Sequence, residues 1–195
     1  MKRYLSLVLF VLLAVMFFGC AGSSSYMTKQ STPPPAAPSP GKALVYFMRP
    51  SGLGFIINFQ IYHDRDLIGL SQAKSYFTYE CDPGPQMFLG MAENKVGLKA
   101  ELEAGKTYYV LTQVRMGGWK ARMGIVPATP GSKWWDLVET YKTSLVHIAA
   151  EPAALQAWVA AHKEKTEAEL NKTYSFLETP EGQKYVVHMG PDAGR

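Results

Sequence analysis

The chain has 195 residues, of which 47% are hydrophobic and 18% charged, with two cysteines and a net charge of +4. That length suits one modest domain with appendages, since single domains usually occupy ~100–200 residues. The composition excludes a disordered polyelectrolyte, a disulfide-dense scaffold and a four-cysteine zinc site. The positive surplus is small and unclustered, so no footprint for nucleic acid is present.

Lys2 and Arg3 precede an uncharged apolar run over residues 4–18, followed by Gly19 and Cys20. This is the charge and hydropathy pattern of a secretory signal peptide, and the run is shorter than the ~20 residues a membrane-crossing helix needs. Phe17-Phe18-Gly19-Cys20 resembles the lipobox of bacterial lipoproteins, although Phe17 and Phe18 are bulkier than the pattern's usual residues. The resemblance implies removal of residues 1–19 and acylation of Cys20 by diacylglycerol and a further chain such as palmitate. Multiple chains on one cysteine make a stable anchor, at ~0.8 kcal/mol per buried methylene. By the same resemblance to Gram-negative lipoproteins, in which an Asp after the cysteine signals retention, Ala21 implies onward export to the outer membrane, facing the periplasm. The alternative is ordinary cleavage after Ala21 and a soluble periplasmic product. Either cut removes Lys2 and Arg3, two of the four surplus charges.

Residues 20–41 form a Ser/Pro-rich segment with Pro33-Pro34-Pro35, Pro38 and Pro40 and no apolar period. Such a stretch buries too little surface to offset its ordering entropy. It reads as an extended tether, holding the following domain away from the bilayer.

A mainly β domain is expected over residues 42–150. The strand patterns are 43–47, 59–62, 67–70, 75–79, 87–91, 98–102, 107–114 and 121–126, with 145–148 as a further candidate. Turn signals such as Asp82-Pro83-Gly84-Pro85 and Glu103-Ala104-Gly105-Lys106 separate them. Short strands at this spacing predict a small antiparallel β-sandwich. Ser132 is placed to cap a short helix carrying Trp134, Trp135, Val138 and Tyr141 on one side, with a strand as the alternative. Pro152 suits the first turn of a C-terminal amphipathic α-helix over residues 151–178, with Leu155, Trp158, Leu170, Tyr174 and Leu177 on one stripe. Residues 179–195 read as a loose tail.

The stretch from Ala43 to Ser51, the turn Asp82-Pro83-Gly84-Pro85-Gln86 and the stretch from Leu102 to Val110 together resemble the domain-of-unknown-function 2846 family of bacterial envelope lipoproteins, a PEGA-like β-domain. The resemblance covers about residues 42–126 and implies a β-sandwich in the envelope, with no catalytic residues to carry over.

The segment from Ala100 to Thr107 matches a permissive phosphate-loop pattern, yet it carries two carboxylates and leads into a strand pattern, so no nucleotide site is expected. The four histidines have no helical-spacing partner, and no metal or other cofactor is expected. No Gly-x-Ser-x-Gly or local Cys–His arrangement marks a nucleophile. Cys81, at the end of an apolar strand, reads as a buried inert thiol. Aromatic side chains give the remaining signal. Along a strand Phe77 and Tyr79 share one face and Tyr76 takes the other, so Tyr76, Trp119, Trp134 and Trp135 are candidate binding aromatics, unless a helix covers them. The sequence therefore points to a non-catalytic lipoprotein module that binds the membrane through its lipid and engages envelope proteins or peptidoglycan. A cell-wall hydrolase is the alternative.

Overall fold

Strand β2 (Ala43–Arg49) sets the pattern. Ala43, Val45 and Phe47 point to one side, Leu44, Tyr46 and Met48 to the other, and all six are buried. A strand apolar on both faces requires a layer above and a layer below, and the computed structural model, which describes residues 26–116 and 121–195, supplies both. The expected signal peptide (residues 1–19), Cys20 and Trp119 lie outside the described residues.

β2 sits inside a six-stranded sheet with β1 (Met27–Lys29), β10 (Val146–Ala150), β5 (Ser75–Cys81), β8 (Thr107–Met116) and β9 (Ala121–Pro127), in the order β1-β10-β5-β2-β8-β9. A second, five-stranded sheet runs β11 (Val186–Met189), β7 (Lys95–Leu102), β6 (Gly84–Met91), β3 (Phe59–His63) and β4 (Asp66–Ser71). Phe47, Val110 and Met123 of the first sheet share one buried cluster with Phe59, Ile61, Phe88 and Leu98 of the second.

Each outer face carries a helix. Helix α1 (Lys133–Ser144) lays Val138 on Leu44, Tyr46, Met48, Tyr109 and Leu111 of the six-stranded sheet. Helix α3 (Lys163–Glu178) lays Leu170 and Leu177 on Tyr62, Leu89 and Met91 of the other. Between them α2 (Pro152–Ala161) buries Leu155 alone.

The mainly β expectation holds, and every strand pattern read from the sequence forms a strand. The antiparallel expectation does not, because both sheets are mixed: β2 pairs β8, β10 pairs β5 and β11 pairs β7 in parallel. Hairpin turns fix antiparallel neighbours locally, but these three pairs join segments distant in the chain, where no turn dictates direction.

Three other expectations change. The helix over 151–178 breaks at His162 (φ −120°, ψ 17°). There the backbone N–H is shared between the Trp158 and Val159 carbonyls, and the ring Nδ1 donates to the Trp158 carbonyl at 2.8 Å. The proline-rich tether is not free from Tyr26 onward. Met27–Lys29 pairs with β10, the Tyr46 hydroxyl donates to the Pro35 carbonyl at 3.4 Å, and Ser39 donates twice to the Glu80 carboxylate, at 2.9 and 2.8 Å. Lacking apolar periodicity, this segment is held by the edge of a sheet whose strand it completes. The tail is held in the same way, with β11 pairing β7 and Arg195 exchanging backbone hydrogen bonds with Thr107.

Candidate functional site

The aromatics singled out from the sequence are mostly structural. Tyr76 is buried, stacked on His147 with ring centroids 5.1 Å apart and on Tyr46 at 5.7 Å. Trp134 and Trp135 stand half-buried on α1, whose cap is Ser132: its hydroxyl accepts from the Trp135 N–H at 3.3 Å. The Arg195 guanidinium lies 4.8 Å from the Tyr109 ring centre and 4.9 Å from that of Trp135, and pairs with Glu139. Burial foremost, with Tyr109 and Tyr76 next, pushes the Tyr46 phenol up to about 12. These rings form the bed of a helix, but that helix is α1; the C-terminal helices cover the opposite sheet.

Cys81 is likewise inert. Its side chain is buried, and burial, with Asp82 adding repulsion, pushes the thiol up to about 11, far from the thiolate a nucleophile needs. The turn matching a phosphate loop joins β7 of one sheet to β8 of the other, and its Gly105 N–H donates to the Lys42 carbonyl at 2.8 Å. Among the described residues no three His, Cys, Asp or Glu side chains gather in a way that would hold a metal ion.

A concave site does exist where the outer face of β6 and β7 meets the end of α3 and strand β11. It is a groove of about 680 Å³. Met87, Leu177, Val186 and Met189 give it an apolar floor, and Asp64, Lys99, Glu101, Glu178 and His188 give it a polar margin. Its walls are fixed. The Tyr174 hydroxyl donates to the Asp64 carbonyl at 2.9 Å, tying α3 to the β3–β4 turn. Gln86 donates to the Asp82 carbonyl at 2.9 Å and accepts from His63 Nε2 at 2.6 Å. That acceptor fixes the neutral ring as the Nε2–H tautomer, so His63 Nδ1 accepts from the Tyr79 hydroxyl at 3.0 Å. The margin holds three carboxylates against one lysine, a potential that repels polyanions and favours a neutral or cationic segment with apolar side chains. No serine, threonine or cysteine lines it; its reactive groups are the carboxylates of Asp64, Glu101 and Glu178, the Lys99 amine and the His188 ring.

A second feature went unread in the sequence. Arg49 closes β2 and is fully buried, without a carboxylate partner in contact among the described residues. Its Nη1 donates to the carbonyls of Ile57 at 2.5 Å and Ser71 at 3.2 Å; its Nη2 donates to those of Leu53 at 2.9 Å and Gly54 at 2.8 Å. The guanidinium carbon also lies 4.3 Å from the Phe59 ring centre. Burial pushes the group down to about 10, still high enough to remain charged at neutral pH. One side chain thus gathers the β2–β3 loop, with Gly54 in the left-handed region (φ 63°) where a side chain would be strained. The loop's tip points outward: Phe55 is 73% and Ile56 80% exposed, with Leu53 at 49%. The available signal was an apolar run, Leu53-Gly54-Phe55-Ile56-Ile57, punctuated by glycine and lacking strand alternation.

No family model matches the chain, and no curated protein or solved structure is significantly similar to it.

Proposed function

We propose that the protein is a non-catalytic envelope lipoprotein: a β-sandwich anchored through acylated Cys20 to the periplasmic face of an outer membrane, akin to the domain-of-unknown-function 2846 family. In this reading it binds an extended peptide segment of an envelope component, either a protein or a peptidoglycan stem. The observation that supports binding is the groove between α3, β7 and β11. It couples an apolar floor with a predominantly acidic margin, the makeup of recognition sites that take alternate side chains of an extended segment.

The test has two arms. Mass spectrometry of the mature N-terminus reads the anchor: acylated Cys20 is expected, and a chain beginning at Gly22 refutes it. Photo-crosslinking residues placed at Lys99 and Glu178 in intact cells read the groove, with Asp136 on α1 as the control position. A discrete adduct from both groove positions, abolished by Met87→Glu and absent from the control, is expected. Equal adducts from groove and control positions refute the binding reading.

A further inference from the structure

Leu53, Phe55, Ile56 and Ile57 expose apolar side chains at one end of the fold, and nothing in their sequence explains why a secreted domain should tolerate them. A flexible apolar loop would collapse onto the nearest surface. This one is held out by three hydrogen bonds from Arg49, to Leu53, Gly54 and Ile57, while a fourth fixes the guanidinium to Ser71 of β4. A rigid, outward apolar tip of this kind marks an interaction site.

What meets it is indicated by where the chain comes in. Tyr26, the first described residue, lines the same small cavity as Asn58, the residue at which the apolar loop returns to its sheet. Only five residues, 21–25, separate Tyr26 from Cys20. Six backbone steps extend at most ~20 Å. An acylated Cys20 therefore tethers the domain by the very edge from which the loop projects, and the free stalk is shorter than the proline content suggests, since residues 27–30, Thr32, Pro35 and Ser39 are hydrogen-bonded to the sheets.

The surrounding surface agrees. From Pro50 to Tyr62 the chain has no charged residue. The exposed Lys74 lies against Gly52, its Cε 3.4 Å from where a Cβ would stand. Trp158 and Leu155 line the Tyr26 cavity from α2, a helix without a charge along its length. An apolar tip, a neighbouring lysine and a nearby Tyr–Trp pair are the elements of an interfacial contact with phospholipid.

We infer that the Phe55–Ile56 tip is a second, non-covalent membrane contact, seated in the headgroup–acyl boundary of the same bilayer that holds the Cys20 lipid. The occupant is a phospholipid surface. This rests on the anchored reading above, and it adds an orientation: the domain lies on the membrane by its loop edge instead of floating above it.

The test uses the full chain as cells make it, reconstituted in phosphatidylethanolamine/phosphatidylglycerol vesicles. Phe55→Cys is labelled with an environment-sensitive nitrobenzoxadiazole probe; Cys81 is only 5% exposed and its thiol stays protonated, so it does not compete. Glu103→Cys, in the turn beside Thr107, marks the opposite end of β2, since Thr107 pairs with Leu44. The Phe55 probe is expected to shift to the blue and to lose at least half its emission to lipids carrying a shallow spin label, whereas the Glu103 probe is unaffected. Adding Ile56→Asp should reverse the shift. Equal quenching at both positions, or none at Phe55, overturns the proposal. So does a Phe55 probe that is protected only when other envelope proteins are added, which would make the tip a protein contact. Mass spectrometry on the same sample separates the two readings. Acylated protein with an unquenched Phe55 probe overturns the loop contact alone, and unacylated protein overturns both.

Discussion

Arg49→Met tests the claim that one buried cation builds the β2–β3 loop. Methionine keeps most of the aliphatic stem and removes the four donated hydrogen bonds to Leu53, Gly54, Ile57 and Ser71. Hydrogen bonds to charged groups contribute ~1.5–3 kcal/mol each, but they do not all convert to lost stability. Leu53, Gly54 and Ile57 belong to an exposed loop and regain water once it lifts, while the buried Ser71 residue keeps its carbonyl away from solvent. Removing the charge also relieves its desolvation and the buried Nε that has no protein partner, a gain of the kind seen when buried ions give way to apolar groups. The balance is a loss of about 2–4 kcal/mol, a large share of the ~5–15 kcal/mol a domain possesses. For a domain of this size that lowers Tm by roughly 5–15 °C. Hydrogen exchange at residues 53–57 should accelerate far more than in the strands, and proteases should gain a cut beside Phe55. Arg49→Lys should behave nearly as badly, because a single ammonium cannot span carbonyls on both sides of a planar fork. Unchanged Tm and unchanged loop exchange in Arg49→Met would refute the reasoning.

Further outcomes follow from other contacts. Gly182→Ala should lower the urea midpoint by an amount equivalent to ~2–4 kcal/mol, because its Cβ would stand 1.8 Å from the Phe176 carbonyl oxygen, a backbone atom of α3; an unchanged midpoint would show that the turn shifts freely. The Cys81 thiol should resist a maleimide at neutral pH until urea unfolds the domain, given its burial and a thiol pushed up to about 11; stoichiometric labelling of native protein would contradict this. The Lys95 amine, 2.8 Å away, holds the Glu169 carboxyl below its ordinary value of 4.5, first by hydrogen bond and then by charge. A carboxyl depressed in the folded state adds stability above its unfolded value and loses it as pH falls through the depressed one. Glu169→Gln should therefore lower stability modestly at pH 7, by at most ~1 kcal/mol for so exposed a pair, and the difference from the parent should shrink as pH falls below 4.5 and through the depressed value. A loss that stays constant as the carboxyl is protonated would point to packing instead.

The strands were legible because alternation is a local property: Phe77 and Tyr79 face one core and Tyr76 the other, as their spacing requires. The helix cap at Ser132 was legible for the same reason. The parallel pairings were not, since nothing near Leu44 in the chain encodes Thr107 as its partner. Met27–Lys29 and Val186–Met189 were hidden by composition: each is three or four residues long and owes its strand form to the edge it completes. The groove was illegible on similar grounds, because its floor draws Met87 from one strand, Leu177 from a helix and Met189 from the tail. Arg49 follows the apolar pattern 43–47 and precedes Pro50, and sequence cannot distinguish a cation that ends a strand in solvent from one that turns back to gather a loop.

The two sites also stand in a fixed relation that bears on how such a protein would work. β3 begins at Phe59, just past the apolar loop, and ends at His63, next to the Asp64 that lines the groove. Five residues of strand separate them by ~17 Å. β6 runs back beside it, with His63 opposite Phe88 and Gln60 opposite Met91, so Pro85, Gln86 and Met87 of the groove also lie at the end away from the loop. The chain comes in at Tyr26 on the loop side. If loop and lipid share one bilayer, the groove faces away from it, into the space where an envelope partner would be found. A tether longer than ~20 Å would leave that orientation free; the five residues between an acylated Cys20 and Tyr26 would restrict it.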